Sequence, residues 1–160
     1  MTDRDPIRWL ILACGNSLRG DDGAGPRLAE WALERFGGDP GVSVMVRQQW
    51  GPELAEEISR SGNVLFVDSS IQTSPGSVDL VAVEPAASAG KLATHHLDAA
   101  KLLALSRDLY GSLPGQAVLL TLGVESVALR EGLSETVVKA IPGACRKIEE
   151  VLLPQNAVDN

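Results

Sequence analysis

After a short apolar run, and ahead of a helix-like segment, the chain reads Gly15-Asn16-Ser17-Leu18-Arg19-Gly20-Asp21-Asp22-Gly23-Ala24-Gly25. A glycine-rich turn following a first strand often cradles a phosphate, which needs backbone N–H groups and positive charge at the helix start. Two carboxylates stand there instead, Arg19 alone does not offset them, and the glycine spacing fits neither the dinucleotide fingerprint nor the P-loop. A module that binds a nucleotide or anion without chemistry is therefore the poorer reading. Adjacent acids closing a tight turn suit a cation. The plain alternative is that one of Asp21 and Asp22 only caps the following helix, where a carboxylate complements the dipole.

Asp68 closes a second apolar run, VLFVD. Its carboxylate is expected to be partly desolvated, and close to the first loop if strands one and three are neighbours. The alternative is a helix or turn cap for Ser69 and Ser70. The histidines of the chain are His95 and His96, just ahead of a leucine-rich helix. Adjacent side chains point in different directions, so one of them is expected to face a site. One imidazole with the carboxylates of Asp22 and Asp68, drawn from three strand–helix junctions, makes an open three-ligand site with positions left for water or substrate. Zinc, nickel, iron or manganese is chemically acceptable there.

Other candidates carry less. Cys14 borders the first loop with no histidine near it in sequence, so it reads as a small core residue rather than a nucleophile. Cys145 falls on the apolar stripe of the last helix. Ser17, Ser69 and Ser70 lack the nucleophile elbow of serine hydrolases. Trp50, in the run QQWGPEL, is either an exposed anchor for a partner or packs under the second helix.

These residues must be positioned by a chain of 160 residues with 44% hydrophobic and 22% charged content. That length suggests one domain over 1–160, ending in a frayed polar tail at 154–160. A mean hydropathy of +0.06 argues against disorder. The longest apolar run, residues 9–14, is far short of the ~20 that span a bilayer, so no membrane role is expected. A net charge of −7 opposes generic nucleic-acid binding. Two cysteines give no disulfide framework and fit a reducing compartment. The N-terminal charges Asp3, Arg4, Asp5 and Arg8 lead into no cleavage site, so no signal peptide is read and the cytoplasm is expected.

Strands are predicted at 7–13, 42–47, 64–67, 78–83 and 117–124. Helices are predicted from Pro26 to the Gly37-Gly38 stop, at 52–61 with Gly62 after its end, at 98–110 and at 134–153. Pro142 is expected to kink or divide the last. Leu102, Leu105 and Leu109 mark the apolar stripe of the third helix. Val137, Val138, Ile141, Ala144, Cys145, Ile148 and Leu152 mark that of the last. Segment 84–93 is a small-residue loop. Alternating elements imply a three-layer α/β/α fold with a largely parallel sheet. The fourth strand, with no helix before it, is its antiparallel member, so the sheet is mixed. In such sheets sites form beyond the carboxyl ends of the strands, where the first loop and Asp68 lie.

The run GNSLRGDDGAG after an apolar strand resembles the N-terminal signature of the hydrogenase maturation proteases, which process the large subunit of nickel–iron hydrogenases. The resemblance covers 10–153 and includes QQWGPEL, the strand ending in Asp68-Ser69, Thr94-His95-His96-Leu97-Asp98, and LSETVVKAI from Leu133. It implies a twisted five-stranded sheet between helices, and an endopeptidase that removes a C-terminal extension after nickel insertion. The family's three metal positions fall on Asp22, immediately before Gly23, on Asp68, and on His95, which stands eight residues before Leu103, with His96 as the fallback. Position 22 is Asp here, where some members carry Glu.

On this resemblance nickel arrives with the precursor as a recognition element, and other divalent ions such as zinc or cadmium can occupy the site. A water attacks the peptide bond, with Asp22 or Asp68 as base and a metal polarising the water or the carbonyl. Gly15, Asn16, Gly23 and Trp50 are expected to bind substrate, with Gly20, Gly23 and Gly25 letting the loop backbone approach an extended tail. The expected partner is the large-subunit precursor, and the chain is expected to be a monomer. The competing reading is a metallohydrolase that owns its divalent metal and acts on another peptide or small substrate.

Overall fold

The first apolar run forms β1 (Ile7–Cys14), one residue longer than predicted. A computed structural model describes residues 6–88 and 98–153. Its further strands are β2 (Val42–Arg47), β3 (Ser61–Ser70), β4 (Val78–Ala82) and β5 (Gln116–Gly123), and its α-helices are α1 (Ala24–Phe36), α2 (Leu54–Ser59), α3 (Ala99–Tyr110) and α4 (Glu135–Leu152). One five-stranded sheet has the order β2-β1-β3-β5-β4. The β1–β2, β1–β3 and β3–β5 pairs are parallel, and β4 runs antiparallel to β5, as predicted for a strand with no helix before it.

Burial on both faces explains why β1 reads as an unbroken apolar run. Trp9, Ile11 and Ala13 join one core with residues of α1 and α4, such as Leu28, Ala32, Ala144 and Ile148. Leu10, Leu12 and Cys14 join the other with residues of α2 and α3, such as Leu54, Ile58, Leu102 and Leu103. The result is three layers. Fully burying each large apolar side chain contributes roughly 1.5–3 kcal/mol, and the central β1–β3 pair carries much of this load in Leu10, Ile11, Leu12, Leu65 and Phe66.

Several boundaries differ from the sequence reading. β3 runs from Ser61 to Ser70, well beyond 64–67, because β1 on one side and β5 on the other pair its polar ends: Ser61 lies opposite Ile7, and Asp68, Ser69 and Ser70 opposite Thr121, Leu122 and Gly123. Gly62 therefore lies in a strand, and the six-residue α2 stops with its C-cap at Arg60. Pro26 is the third residue of α1, still in the first turn, where its missing N–H leaves no bond unmade. α4 runs unbroken through Pro142. Pro142 is exposed, and so is Val138 four residues back, so solvent can reach the carbonyl that loses its donor. Val138 and Leu109, assigned to apolar stripes, are 53% and 62% exposed. The predictions for residues 1–5, 89–97 and the tail 154–160 lie outside the described residues. No described helix is long and apolar enough to cross a membrane.

Two features position the site. The β1–β3 register ends at Ala13 opposite Val67, so the next step brings Cys14 level with Asp68 at the carboxyl end of the sheet. The loop that leaves β1 is stitched to the β5–α4 connection: Gly20 N–H donates to the Arg130 carbonyl (2.8 Å), Asp21 N–H to Ser126 (3.0 Å), and Arg130 N–H to Leu18 (3.2 Å). A Cβ on Gly25 would fall 2.1 Å from the Cys14 carbonyl oxygen, so only glycine lets α1 begin pressed against the end of β1.

Candidate active site

Asp22 sits in a 3₁₀ turn, Gly20–Gly23, half-buried. Its Oδ2 accepts the Asn16 N–H at 2.8 Å, and its Oδ1 accepts the Ser69 hydroxyl at 3.3 Å. Asp68, also half-buried, lies within β3 rather than after it. Its Oδ1 accepts the Ser69 N–H at 2.8 Å, which is the local turn-like bond the plain alternative anticipated. One residue thus donates to both carboxylates, which stand 46 positions apart in the chain. The expected adjacency of strands one and three produces the meeting.

Asp21 has a different job. It is 1% exposed and accepts from the N–H groups of Glu125 (3.0 Å), Ser126 (3.4 Å) and Ser134 (2.6 Å) and from the Ser134 hydroxyl (2.9 Å). Burial works to raise its carboxyl. The Ser134 N–H and hydroxyl, with the Glu125 and Ser126 N–H groups, outweigh burial and hold it below the usual carboxylate range. Neither acid caps α1, whose N-cap is Gly23 with no side-chain bond. Asp21 instead clamps the start of α4, where Ser134 is the N-cap.

Cys14 is a core residue, 4% exposed, whose Sγ donates to the Gln48 carbonyl at 3.3 Å. Burial, then the negative charges of Asp68 and Asp22, push its thiol up to about 12, against a lowering by the Trp50 N–H. It is a neutral thiol near neutral pH and a poor nucleophile.

No model of a known protein family matches the chain, and no curated protein matches it. Solved structures do. The chain is similar to the hydrogenase maturating endopeptidase HybD from Escherichia coli, at TM-score 0.68 and 24% identity over 91% of each chain. It is similar to an Escherichia coli endopeptidase solved in solution, at TM-score 0.72 and 27% identity over 91% of each chain. It is also similar to the NiFe hydrogenase maturation protease HycI from Thermococcus kodakarensis KOD1, at TM-score 0.67 and 25% identity over 92% of this chain and 94% of that one. The chain shares its fold with these hydrogenase maturation endopeptidases.

On this shared fold, the remaining candidates separate as follows. His95 and His96 lie outside the described residues, and among the described residues no group of three or more His, Cys, Asp or Glu side chains meets in a way that could hold a metal ion. Asn16 is part of the loop frame: its N–H holds Asp22, and its Oδ1 accepts the Leu18 N–H at 3.0 Å. The loop glycines face the protein itself. A Cβ on Gly15 would fall 2.1 Å from the Asp22 carbonyl oxygen, and one on Gly23 would fall 3.1 Å from Ser17 Cα. A side chain at Gly20, Gly23 or Gly25 would meet Ser126 and Ala128, Ser17, or Cys14, so these glycines serve close packing within the protein. Trp50 is 2% exposed and packs edge-on against Phe66 at 5.2 Å between ring centroids, so it is a core residue and not an exposed anchor. Sequence reasoning missed Ser69 and the clamp role of Asp21. The signal for Ser69 was its place directly after an acid at a strand end.

Proposed function

We propose that this chain is an endopeptidase that removes the C-terminal extension from the large-subunit precursor of a nickel–iron hydrogenase after nickel insertion. The observation that carries the reading is the meeting of Asp22 and Asp68 around Ser69, at the carboxyl end of β1 and β3, in a chain with the fold of the hydrogenase maturation endopeptidases. Two anionic oxygen donors suit a divalent ion, and an imidazole beside them suits nickel. His95 is the imidazole of this proposal. It stands three residues before Asp98, whose carboxylate caps α3 by accepting the Lys101 N–H. α3 packs on the same sheet face as Cys14, and Asp68 shares that face by strand alternation with Val64 and Phe66.

Nickel is cargo of the precursor in this reading, and when bound it supplies Lewis acidity. The residues of the chain supply the rest. Asp22 and Asp68 hold and orient the loaded tail, and Ser69 and the Asn16 N–H fix Asp22 for that task. With Cys14 neutral and no serine elbow present, the nucleophile is water, and one of the two carboxylates takes its proton. Comparing Asp22→Asn with Asp68→Asn identifies which.

Incubation with nickel-loaded precursor is expected to convert the large subunit to a faster-migrating form, with conversion absent in Asp22→Ala and His95→Ala. No cleavage by the wild type, or full cleavage by both variants, contradicts the proposal.

A further inference from the structure

We infer that Ser69 is the positioning residue that fixes Asp22 and Asp68 in one mutual orientation toward the nickel. The inference rests on the metal reading above and deepens it. The β1–β3 pairing ends at Ala13 opposite Val67, so the Ser69 N–H lies past the last rung on that side. On the other side, the Ser70 carbonyl accepts the Val124 N–H at 3.0 Å, which keeps the end of β3 anchored to β5. The Ser69 N–H turns to Asp68 Oδ1 at 2.8 Å, while its hydroxyl reaches Asp22 Oδ1 at 3.3 Å. The backbone donor and the side-chain donor are separated by two rigid bonds and one rotamer, so the two carboxylates are indexed to each other through a single residue. Asp22 Oδ2 is already held by the Asn16 N–H. With both oxygens engaged, rotation of the Asp22 carboxylate is restrained, while each oxygen keeps a second lone pair with which to bind a cation.

Removing the hydroxyl leaves the N–H bond to Asp68 intact and frees only Asp22 Oδ1. Partners of this kind typically contribute 10- to 100-fold to metal affinity. The 3.3 Å length puts the expected effect near the lower end, about tenfold.

The test is calorimetric titration of the full chain with Ni²⁺ alone, alongside thermal melts. Ser69→Ala is expected to bind Ni²⁺ about tenfold more weakly, with a melting temperature within about 2 °C of wild type, as for a surface change. Ser69→Thr keeps the hydroxyl and suits a strand, so it is expected to restore binding. Ser69→Val matches threonine in shape without the hydroxyl, so it is expected to match Ser69→Ala even where alanine perturbs folding. Wild-type affinity in Ser69→Ala and Ser69→Val, with binding lost in Asp22→Asn and Asp68→Asn, overturns the role of Ser69 and leaves the metal reading standing. No binding by the wild type, or unchanged binding in both aspartate variants, overturns the metal reading and this inference with it.

Discussion

Asp21 takes both the N–H (2.6 Å) and the hydroxyl (2.9 Å) of Ser134, a residue 113 positions later and the N-cap of α4. The pair ties the loop after β1 to the start of the last helix. It also separates the tasks of two adjacent acids, since Asp21 is consumed by the fold and Asp22 is left at the site.

Asp21→Asn is expected to lower stability by about 3 kcal/mol or more, since buried bonds to a charged acceptor count roughly 1.5–3 kcal/mol each and the amide places a donor against donors. The loss is pH-dependent with a defined sign. The folded-state carboxyl of Asp21 is depressed, so below its ordinary value near ~3.9 the unfolded chain binds the proton first. The advantage of the wild type over Asp21→Asn is therefore complete above that value and shrinks as pH falls through the lower folded value. Urea titrations of both proteins across this range check it. A constant gap would contradict the assignment.

Cys14→Ala is expected to retain cleavage of the precursor and to lose about 1 kcal/mol of stability, the worth of a small buried group. The native thiol, raised to about 12 chiefly by burial, is expected to resist iodoacetamide at mildly alkaline pH and to react once the chain is unfolded. Loss of activity in Cys14→Ala at unchanged folding would instead make the thiol a participant.

Trp50→Ala is expected to cost about 3–5 kcal/mol, as large aromatic deletions in cores do, because the ring lies between strand and helix layers against Phe66. Trp50→Phe is expected to fold and to cleave with an unchanged KM. A raised KM at unchanged stability would return Trp50 to the substrate.

Gly15→Ala is expected to damage the site through the backbone. Its Cβ would collide with the Asp22 carbonyl, and at φ +149° the residue holds a conformation that L side chains rarely adopt. Overpacking and backbone strain each cost roughly 1–3 kcal/mol. Because the atom to be displaced belongs to Asp22, metal affinity is expected to fall along with the melting temperature. Wild-type values for both would show the loop to be looser than its packing indicates.

Much of this was legible in one chain of letters. The continuous apolar run of β1 announced a doubly covered strand, and the missing helix before β4 announced its antiparallel direction. That Asp22 and Asp68 come to the same end of the sheet followed from their places after β1 and at the end of β3. What stayed illegible depended on partners distant in sequence. The polar ends of β3 look like loop, because Ser61, Gly62, Asn63 and Ser69 carry no apolar signal and are held as strand by β1 and β5. Asp21 and Asp22 are identical in type and adjacent, and only the arrival of Ser134 and Ser69 tells them apart. Pro142 promised a break, but the helix spans it where the affected turn faces solvent.

The central claim is that Asp22, Asp68 and His95 share one metal ion, and a crystal soaked in Cd²⁺ or Ni²⁺ with anomalous diffraction recorded tests it most directly. The expected result is a single strong peak with an Asp22 oxygen, an Asp68 oxygen and a His95 ring nitrogen each within about 2.0–2.4 Å. A peak bound elsewhere, or these three side chains on separate surfaces with no ion between them, would contradict it.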